Sequence, residues 1–153
     1  MIIILMGSKK DLPFCKKIGK ALDEYGMRYQ YKVASAHKTP EIVLNIINES
    51  EKKHPDAVFV TVAGMSNGLS GTVAANTVKP VIACPPIEDK ATYLIDIHSS
   101  LRMPSGAPAM TVMGPANAAL AAVKIISLTD KKLSKKVDEQ IKKTKENIKK
   151  TVL

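Results

Sequence analysis

Short apolar runs alternate with longer amphipathic stretches along this chain. The first run, Ile2–Met6, is apolar at every position, as expected for a strand buried on both faces of a sheet. The same criteria predict four further strands, at 29–34, 57–63, 80–83 and 109–113. Between them, apolar residues at helical spacing predict helices, over about 12–25, 40–53, 72–76, 90–101, 115–128 and 130–151. This alternation is typical of a parallel α/β sheet.

The pattern predicts one flavodoxin-like domain, a doubly wound five-stranded parallel sheet of order 2-1-3-4-5 with helices on both faces. In that order the first three strands are neighbours, so the loops that follow them, at Gly7, Ser35 and Gly64, converge where the strand order reverses. The domain core spans 1–128. The helix over about 130–151 has one apolar stripe, which we expect to pack on another subunit. The stripe consists of Leu133, Val137, Ile141, Ile148 and Val152.

The composition is that of an ordinary globular protein, with 153 residues of which 45% are hydrophobic and 24% charged. No apolar run approaches the roughly 20 residues of a membrane helix, and the N-terminus lacks the basic start of a signal peptide. Cys15 and Cys84 lie far apart in a chain without an export signal, so we expect reduced thiols and a cytoplasmic location. Both fall on core positions, which favours a structural role over a catalytic one.

The net charge of +9 is concentrated in one segment. From Asp130 to Leu153 there are nine lysines and four acidic residues, a net charge of +5, which leaves +4 for the rest of the chain. The segment has no arginine, no aromatic residue and no nucleic-acid-binding motif. A solvated lysine-rich helix is therefore favoured over a nucleic-acid-binding arm, which stays open as a weaker alternative. A basic surface also helps to attract a phosphorylated substrate.

The segment 35–40, between the second strand and the next helix, contains the most informative side chains. It supplies a hydroxyl, the imidazole of His37, the cation of Lys38 and the unpaired amides of a helix start. We expect Thr39 to cap this helix and Pro40 to occupy its first turn. In open α/β sheets ligands bind at this end of the strands. These groups suit an anionic small molecule with one proton to move, and the simpler alternative is a capped turn with a surface histidine.

The first two loops offer candidate contacts for a phosphorylated sugar. Ser8 and the amides after it can bind phosphate, and Asp11 suits sugar hydroxyls, with a helix cap as its alternative role. Ser35 and Lys38 can hold the phosphate as well. His37 is the candidate for proton transfer, because an imidazole ordinarily exchanges a proton near neutral pH.

The third loop, 64–71, adds a glycine and two polar side chains. Gly64 allows a ligand to approach the backbone closely, and Ser66 and Asn67 offer polar contacts. We expect His54 to be solvated in a polar turn and His98 to pack at the edge of the core. The histidines and cysteines lack metal-ligand spacing, and the phosphate-binding and dinucleotide-binding glycine motifs are missing. The sequence therefore predicts histidine acid/base chemistry on a ribonucleotide-like substrate, without a metal or redox cofactor.

Four motifs, in this order and spacing over about 1–128, together resemble the PurE family of purine biosynthesis. They are Gly7-Ser8-x-x-Asp11, Ser35-Ala36-His37-Lys38, the 64–71 loop and Met103-Pro104-Ser105-Gly106. Class I members of this family move a carboxyl group from N5-carboxyaminoimidazole ribonucleotide to C4. Class II members carboxylate 5-aminoimidazole ribonucleotide (AIR) with CO2 directly.

The loops look like those of class II. Class I typically has Ser-Ala-His-Arg and Ala-Ala-His-Leu-Pro-Gly, where this chain has Lys38 in the second loop and Ser-Asn-Gly-Leu-Ser-Gly over 66–71. Asn67 in place of the class I histidine is the main reason to favour class II, and the runs 83–86 and 99–106 agree. Met65 departs from the pattern, because class II loops often have arginine there.

The resemblance implies a cofactor-free carboxylase that converts AIR and CO2 to 4-carboxy-5-aminoimidazole ribonucleotide (CAIR), with His37 as the acid/base. The residues it implies for ribonucleotide binding are Ser8, Asp11, Ser35, Lys38, Gly64 and Ser66. It also implies a homo-oligomer, an octamer or a tetramer, with the tail and the Pro-rich loop near subunit contacts. The class I mutase is the nearest alternative, and a catalytically silent nucleotide-binding module is a remoter one.

Overall fold

The computed structural model describes residues 1–87 and 90–151. Within them, five parallel strands form one sheet of order β2-β1-β3-β4-β5. The strands are β1 Ile2–Met6, β2 Tyr29–Val33, β3 Val58–Val62, β4 Val81–Ala83 and β5 Met110–Thr111. The predicted strand order and the predicted doubly wound, flavodoxin-like architecture are confirmed.

Helices connect the strands and cover the sheet. They are α1 Leu12–Asp23, α2 Pro40–Lys53, α3 Gly68–Ala75, α4 Lys90–Asp96, α5 His98–Leu101, α6 Pro115–Ser127 and α7 Lys131–Thr151. A 3-10 turn, Lys9–Asp11, precedes α1. Over the described residues, none of these helices combines the length and the apolar character needed to cross a bilayer.

The central strand β1 separates two hydrophobic clusters. Its side chains alternate between the faces of the sheet, because successive residues of a strand point in opposite directions. Ile2, Ile4 and Met6 pack with α1, α6 and the start of α7, whereas Ile3 and Leu5 pack with α2 and α3. All five residues are buried, as the uninterrupted apolar run predicts.

Two of the predicted helices differ from the structure. α3 begins at Gly68 rather than near Thr72, because the Asn67 side chain accepts a hydrogen bond from the N–H of Ser70 at 3.1 Å and starts the helix earlier. The single helix predicted over 90–101 is two, α4 and α5. At this junction the hydroxyl of Ser99 lies 2.7 Å from the main-chain oxygen of Asp96, a local contact that competes with regular helix geometry.

The packing predicted for that segment is also wrong in part. Helical spacing puts Tyr93, Leu94, Ile97 and Leu101 on one apolar stripe and predicts that this stripe is packed, but Leu94 and Leu101 are 68% and 58% exposed. His98, expected at the core edge, is exposed as well. Because the segment forms two short helices, α4 and α5, the stripe expected of one continuous helix is interrupted.

Helix α7 starts on its own domain and then leaves it. Leu133 and Val137 are buried beside α6, and Ile141 is partly buried. Ile148, about two turns beyond Ile141, is 62% exposed. Val152, the last residue of the predicted stripe, lies outside the described residues. Contact between the outer part of this stripe and another subunit stays a prediction.

Candidate active site

The loops after β1, β2 and β3 line a cavity of about 550 Å³ at the carboxyl ends of these strands. The register of the sheet brings the loops together, since Met6 is level with both Val33 and Val62. Main-chain bonds extend the pairing into the loops: Gly7 N–H donates to Val62 O at 2.9 Å, and Ala34 N–H donates to Met6 O at 3.0 Å. The three loops therefore meet at the predicted switch point.

Seven of the eight predicted site residues line this cavity. They are Ser8, Asp11, Ser35, His37, Lys38, Gly64 and Ser66. The eighth, Asn67, does not. The sequence predicted where the loops converge, and contact between these side chains and a ligand stays a prediction.

The first loop is held by a reciprocal pair of hydrogen bonds. The Ser8 hydroxyl accepts from Lys10 N–H at 3.2 Å, and Oδ2 of Asp11 accepts from Ser8 N–H at 3.0 Å, which together make a capping box. Asp11 is only 9% exposed, whereas Ser8 is exposed to the cavity. Of the two roles considered for Asp11, the structure shows the cap, and the sugar contact stays a prediction.

The second loop is a closed turn built on Ser35. Its hydroxyl accepts from Lys38 N–H at 3.2 Å, and its carbonyl oxygen accepts from Thr39 N–H at 2.9 Å. Thr39 occupies the N-cap position of α2, but its side chain does not cap the helix as predicted. The hydroxyl oxygen of Thr39 accepts a hydrogen bond from Ser35 N–H at 3.0 Å instead. This turn places His37 and Lys38 side by side, both exposed, at the rim of the cavity.

His37 extends from the second loop to the third. Its imidazole packs against the first residue of α3, Gly68, so closely that a β-carbon built on Gly68 would lie 2.9 Å from Nε2. The imidazole therefore lies inside the region enclosed by the three loops. Proton transfer from this imidazole to a bound ligand stays a prediction.

Asn67 supports the third loop from within the protein. It is 4% exposed, and its Nδ2 donates to the hydroxyl of Ser70 at 2.8 Å and to that of Ser100 at 2.9 Å. Its main-chain N–H donates to the hydroxyl of Ser99 at 2.9 Å. The polar contact predicted between Asn67 and a ligand is therefore replaced by a structural role, because its side chain is used to fix the loop to α5.

The structure adds cavity residues that the sequence analysis missed. Lys10 lines the cavity and adds a second cation to that of Lys38. Its position two residues after Ser8 was the sequence signal that could have identified it. Met65 also lines the cavity. It is 78% exposed and has a φ of 55°, in the left-handed region that non-glycine residues rarely adopt. Gly68, read as part of a flexible loop, forms the cavity wall beneath His37.

The two thiols lie in the core, apart from this cavity. Cys15 and Cys84 are fully buried and unpaired. Burial raises the pKa of each thiol from 9.0 to about 12, so both are protonated at neutral pH. Across residues 1–87 and 90–151, no group of three or more His, Cys, Asp or Glu side chains is arranged to hold a metal ion.

The fold and the cavity define a class of protein: a doubly wound α/β domain with an open, basic, histidine-containing ligand site at the topological switch point. The model of one family, described as AIR carboxylase, matches residues 1–147. The chain belongs to this family, the PurE family of purine biosynthesis.

Relatives with known names agree with this assignment. The chain is 56% identical over 135 residues to a phosphoribosylaminoimidazole carboxylase of Archaeoglobus fulgidus, covering 88% of this chain and 73% of the relative. It is 40% identical over 151 residues to an N5-carboxyaminoimidazole ribonucleotide mutase of Methanocaldococcus jannaschii, covering 97% and 92%. The crystal structure of Treponema denticola PurE superposes with a TM-score of 0.93 at 40% identity, covering 97% of this chain and 94% of the other. Relatives of both names thus share the family.

Proposed function

We propose that this protein is a class II enzyme, which carboxylates AIR at C4 with CO2 to give CAIR in de novo purine biosynthesis. The reaction is reversible and needs neither ATP nor biotin. The observation that carries the proposal is the position of His37, on the wall of a cavity that is also lined by two lysines and three serines. These groups match a substrate with a phosphate at one end and a proton to lose at the other.

The phosphate end of the substrate is assigned to the first two loops. Ser8 and Ser35 supply hydroxyls, and Lys38 supplies a cation that is free to move because its side chain is exposed. The ribose is assigned to Asp11, whose carboxylate accepts hydrogen bonds, and Gly64 and Ser66 border the base. Asn67 contributes indirectly, by holding the third loop against α5.

The chemistry follows from the electronic structure of AIR. AIR is an enamine, so the electron pair at C4 attacks the carbon of CO2, a C–C bond forms, and one C=O electron pair moves to oxygen as a carboxylate. The adduct then has both a proton and a carboxylate at C4. Neutral His37 removes that proton, and the C–H electrons restore the aromatic ring. In the reverse direction the imidazolium protonates C4 and CO2 leaves.

Two effects supply the rate. Holding CO2 beside C4 makes the attack effectively intramolecular. Proton transfer by a positioned side chain typically contributes about 10²–10⁴-fold. The cavity and His37 together account for both without a bound cofactor.

The third loop favours class II over the class I mutase. The class I run carries a histidine, and no residue of 64–71 is one. When Leu69 and Gly71 are set against the leucine and glycine of that run, the class I histidine falls at Gly68 and not at Asn67, so the residue that replaces it is Gly68. His37 is the single histidine among the residues that line the described cavity, because His54 and His98 do not line it. The 56% identical relative is also named a carboxylase.

The two classes differ in the substrate they consume. We expect the protein to form CAIR from AIR plus bicarbonate, as the source of CO2, without ATP, and to leave N5-carboxyaminoimidazole ribonucleotide unchanged beyond its spontaneous breakdown. Turnover of the N5-carboxy compound alone would establish the class I mutase instead. Binding of AIR without turnover of either compound would indicate the silent nucleotide-binding module.

We further propose a homo-oligomer, an octamer or a tetramer, in the cytoplasm. Large apolar side chains around α4, α5 and β5 are exposed in the single chain, and the outer part of α7 adds Ile148. The residues around α4, α5 and β5 are Ile87, Leu94, Ile95, Leu101 and Met110. Exposed apolar surface of this kind is typical of protein–protein interaction sites, and a second copy of the chain is the partner we propose. Light scattering coupled to size-exclusion chromatography gives the number of subunits.

A further inference from the structure

The space above Gly68 is filled by the imidazole of His37. A β-carbon on this residue would lie 2.9 Å from Nε2, 3.1 Å from Cε1 and 3.7 Å from Cδ2 of His37. Non-bonded carbon atoms are at optimal separation at about 3.5–4.0 Å, so no side chain at position 68 is compatible with this ring position. We propose that Gly68 is a positioning residue: by lacking a side chain, it fixes where the acid/base of the reaction lies.

The backbone at Gly68 does not itself call for glycine. The glycines with positive φ are Gly26, Gly106 and Gly114 among the described residues, and Gly68 is outside that group. Gly68 is the first residue of α3, after the N-cap Asn67. The backbone therefore does not require glycine at this position, whereas the contact with His37 does.

No hydrogen bond fixes the ring position. His37 is exposed at the tip of its turn, and its imidazole makes no hydrogen bond to another residue of the described chain. Packing on Gly68 is a contact that links the ring to the third loop. Asn67, the preceding residue, is fixed by its buried hydrogen bonds to Ser70 and Ser100, so the surface on which the imidazole rests is rigid.

A methyl group at position 68 displaces the ring without disrupting the fold. The atoms it meets are the far end of an exposed side chain, which can rotate away into the cavity. A general base has to lie within about 2.6–3.2 Å of the atom whose proton it removes. A misplacement of about 1 Å can cost about 10²-fold in rate. The inference rests on the proposed function for its kinetic consequence and on geometry alone for the ring displacement.

The kinetic test is Gly68→Ala in the full chain. We expect kcat for AIR carboxylation to fall by about 10- to 100-fold, with a much smaller change in the KM for AIR, because the phosphate and ribose contacts lie on other loops. Gly71→Ala is the matched control: it adds the same methyl group to the same helix, where it meets Sδ of Met103 at 3.2 Å and not His37. Gly68→Ser, which also places a side-chain atom where the His37 ring lies, repeats the test if Gly68→Ala is unstable.

A second measurement tests the geometry without substrate. The chain has three histidines, so its spectrum of imidazole Cε1–H groups has three signals to assign. We expect Gly68→Ala to shift the His37 signal and to leave the signals of His54 and His98 unchanged. We expect Gly71→Ala to shift none of the three signals. An unmoved His37 signal, or a moved signal with wild-type kcat, would overturn the inference. If the wild-type protein does not carboxylate AIR, the proposed function fails, and the spectrum still decides whether Gly68 sets the ring position.

Discussion

Ser8 and Asp11 hold each other in place at the entrance to the site, with the main-chain N–H of Ser8 donating to Oδ2 of Asp11 at 3.0 Å. The hydroxyl of Ser8 stays exposed to the cavity while the carboxylate of Asp11 is almost fully buried. One bond thus connects a candidate phosphate contact to the start of α1. The same carboxylate is proposed to bind the ribose, so its two roles can be separated only by comparison with a cap elsewhere.

Replacing Asp11 by Ala should weaken both the fold and the binding of AIR. The variant loses the capping-box hydrogen bond from Ser8 N–H, and the loss of one hydrogen bond typically costs about 1 kcal/mol in the free energy of unfolding. The matched control is Asp130→Ala, since Oδ1 of Asp130 accepts from Leu133 N–H at 3.0 Å at the start of α7, far from the cavity. We expect similar stability losses in urea denaturation, and a raised KM for AIR in Asp11→Ala alone. Equal KM values for AIR in the two variants would contradict a contact between Asp11 and the ribose.

Replacing Asn67 by Ala should loosen the third loop. The change leaves the buried hydroxyl of Ser100 without its Asn67 partner, and an unsatisfied buried polar group costs about 1–3 kcal/mol. Activity should fall as well, because Gly68 supports His37 from the adjacent position. Asn76→Ala is the control at the other end of α3, where Nδ2 of Asn76 donates to Thr72 O at 2.8 Å on an exposed surface. Denaturation midpoints and kcat measured on both variants test this, and equal effects would mean that the buried network is unimportant.

The buried thiols predict a loss of stability in alkaline solution. Burial raises the pKa of Cys15 and Cys84 from 9.0 to about 12 in the folded chain. Between these pH values the unfolded chain releases thiol protons that the folded chain keeps, so the free energy of unfolding falls as pH rises above 9. The raised pKa of Tyr31, also due mainly to burial, acts in the same direction.

Thiol chemistry gives the direct measurement. A disulfide reagent added to the native protein at mildly alkaline pH should leave both thiols unreacted, because neither is exposed or ionised. The same reagent should titrate two thiols in concentrated guanidinium chloride. Prompt reaction of one thiol in the native protein would show that the core around it opens.

The sheet and the meeting of the three loops were predictable because their signals are local. The uninterrupted apolar run of β1 indicated a central strand, and polar loops following three adjacent strands indicated a shared site. The start of α3 was missed for a different reason. Asn67 caps the helix through the N–H of Ser70, but its side chain is buried by a bond to Ser100, 33 positions away. Nothing in the local pattern separates such a buried cap from a ligand contact.

The contact between His37 and Gly68 also lay beyond the reach of the sequence pattern. A glycine in a Ser/Asn/Gly-rich run indicates a turn or a flexible loop. Its steric role depends on a side chain from another loop, which only the folded chain brings to it. The exposure of Leu94 and Leu101 shows the same limit, since helical spacing does not say what covers a helix face.

The central claim, that His37 moves the proton at C4 of bound AIR, is tested most directly by His37→Asn. Calorimetric titration with AIR and the rate of CAIR formation are measured on the same preparation, with His54→Asn as control. The account predicts an AIR affinity near that of the wild type, a carboxylation rate lower by about 10²–10⁴-fold, and an unchanged control. A His37→Asn protein that carboxylates AIR at the wild-type rate would contradict it.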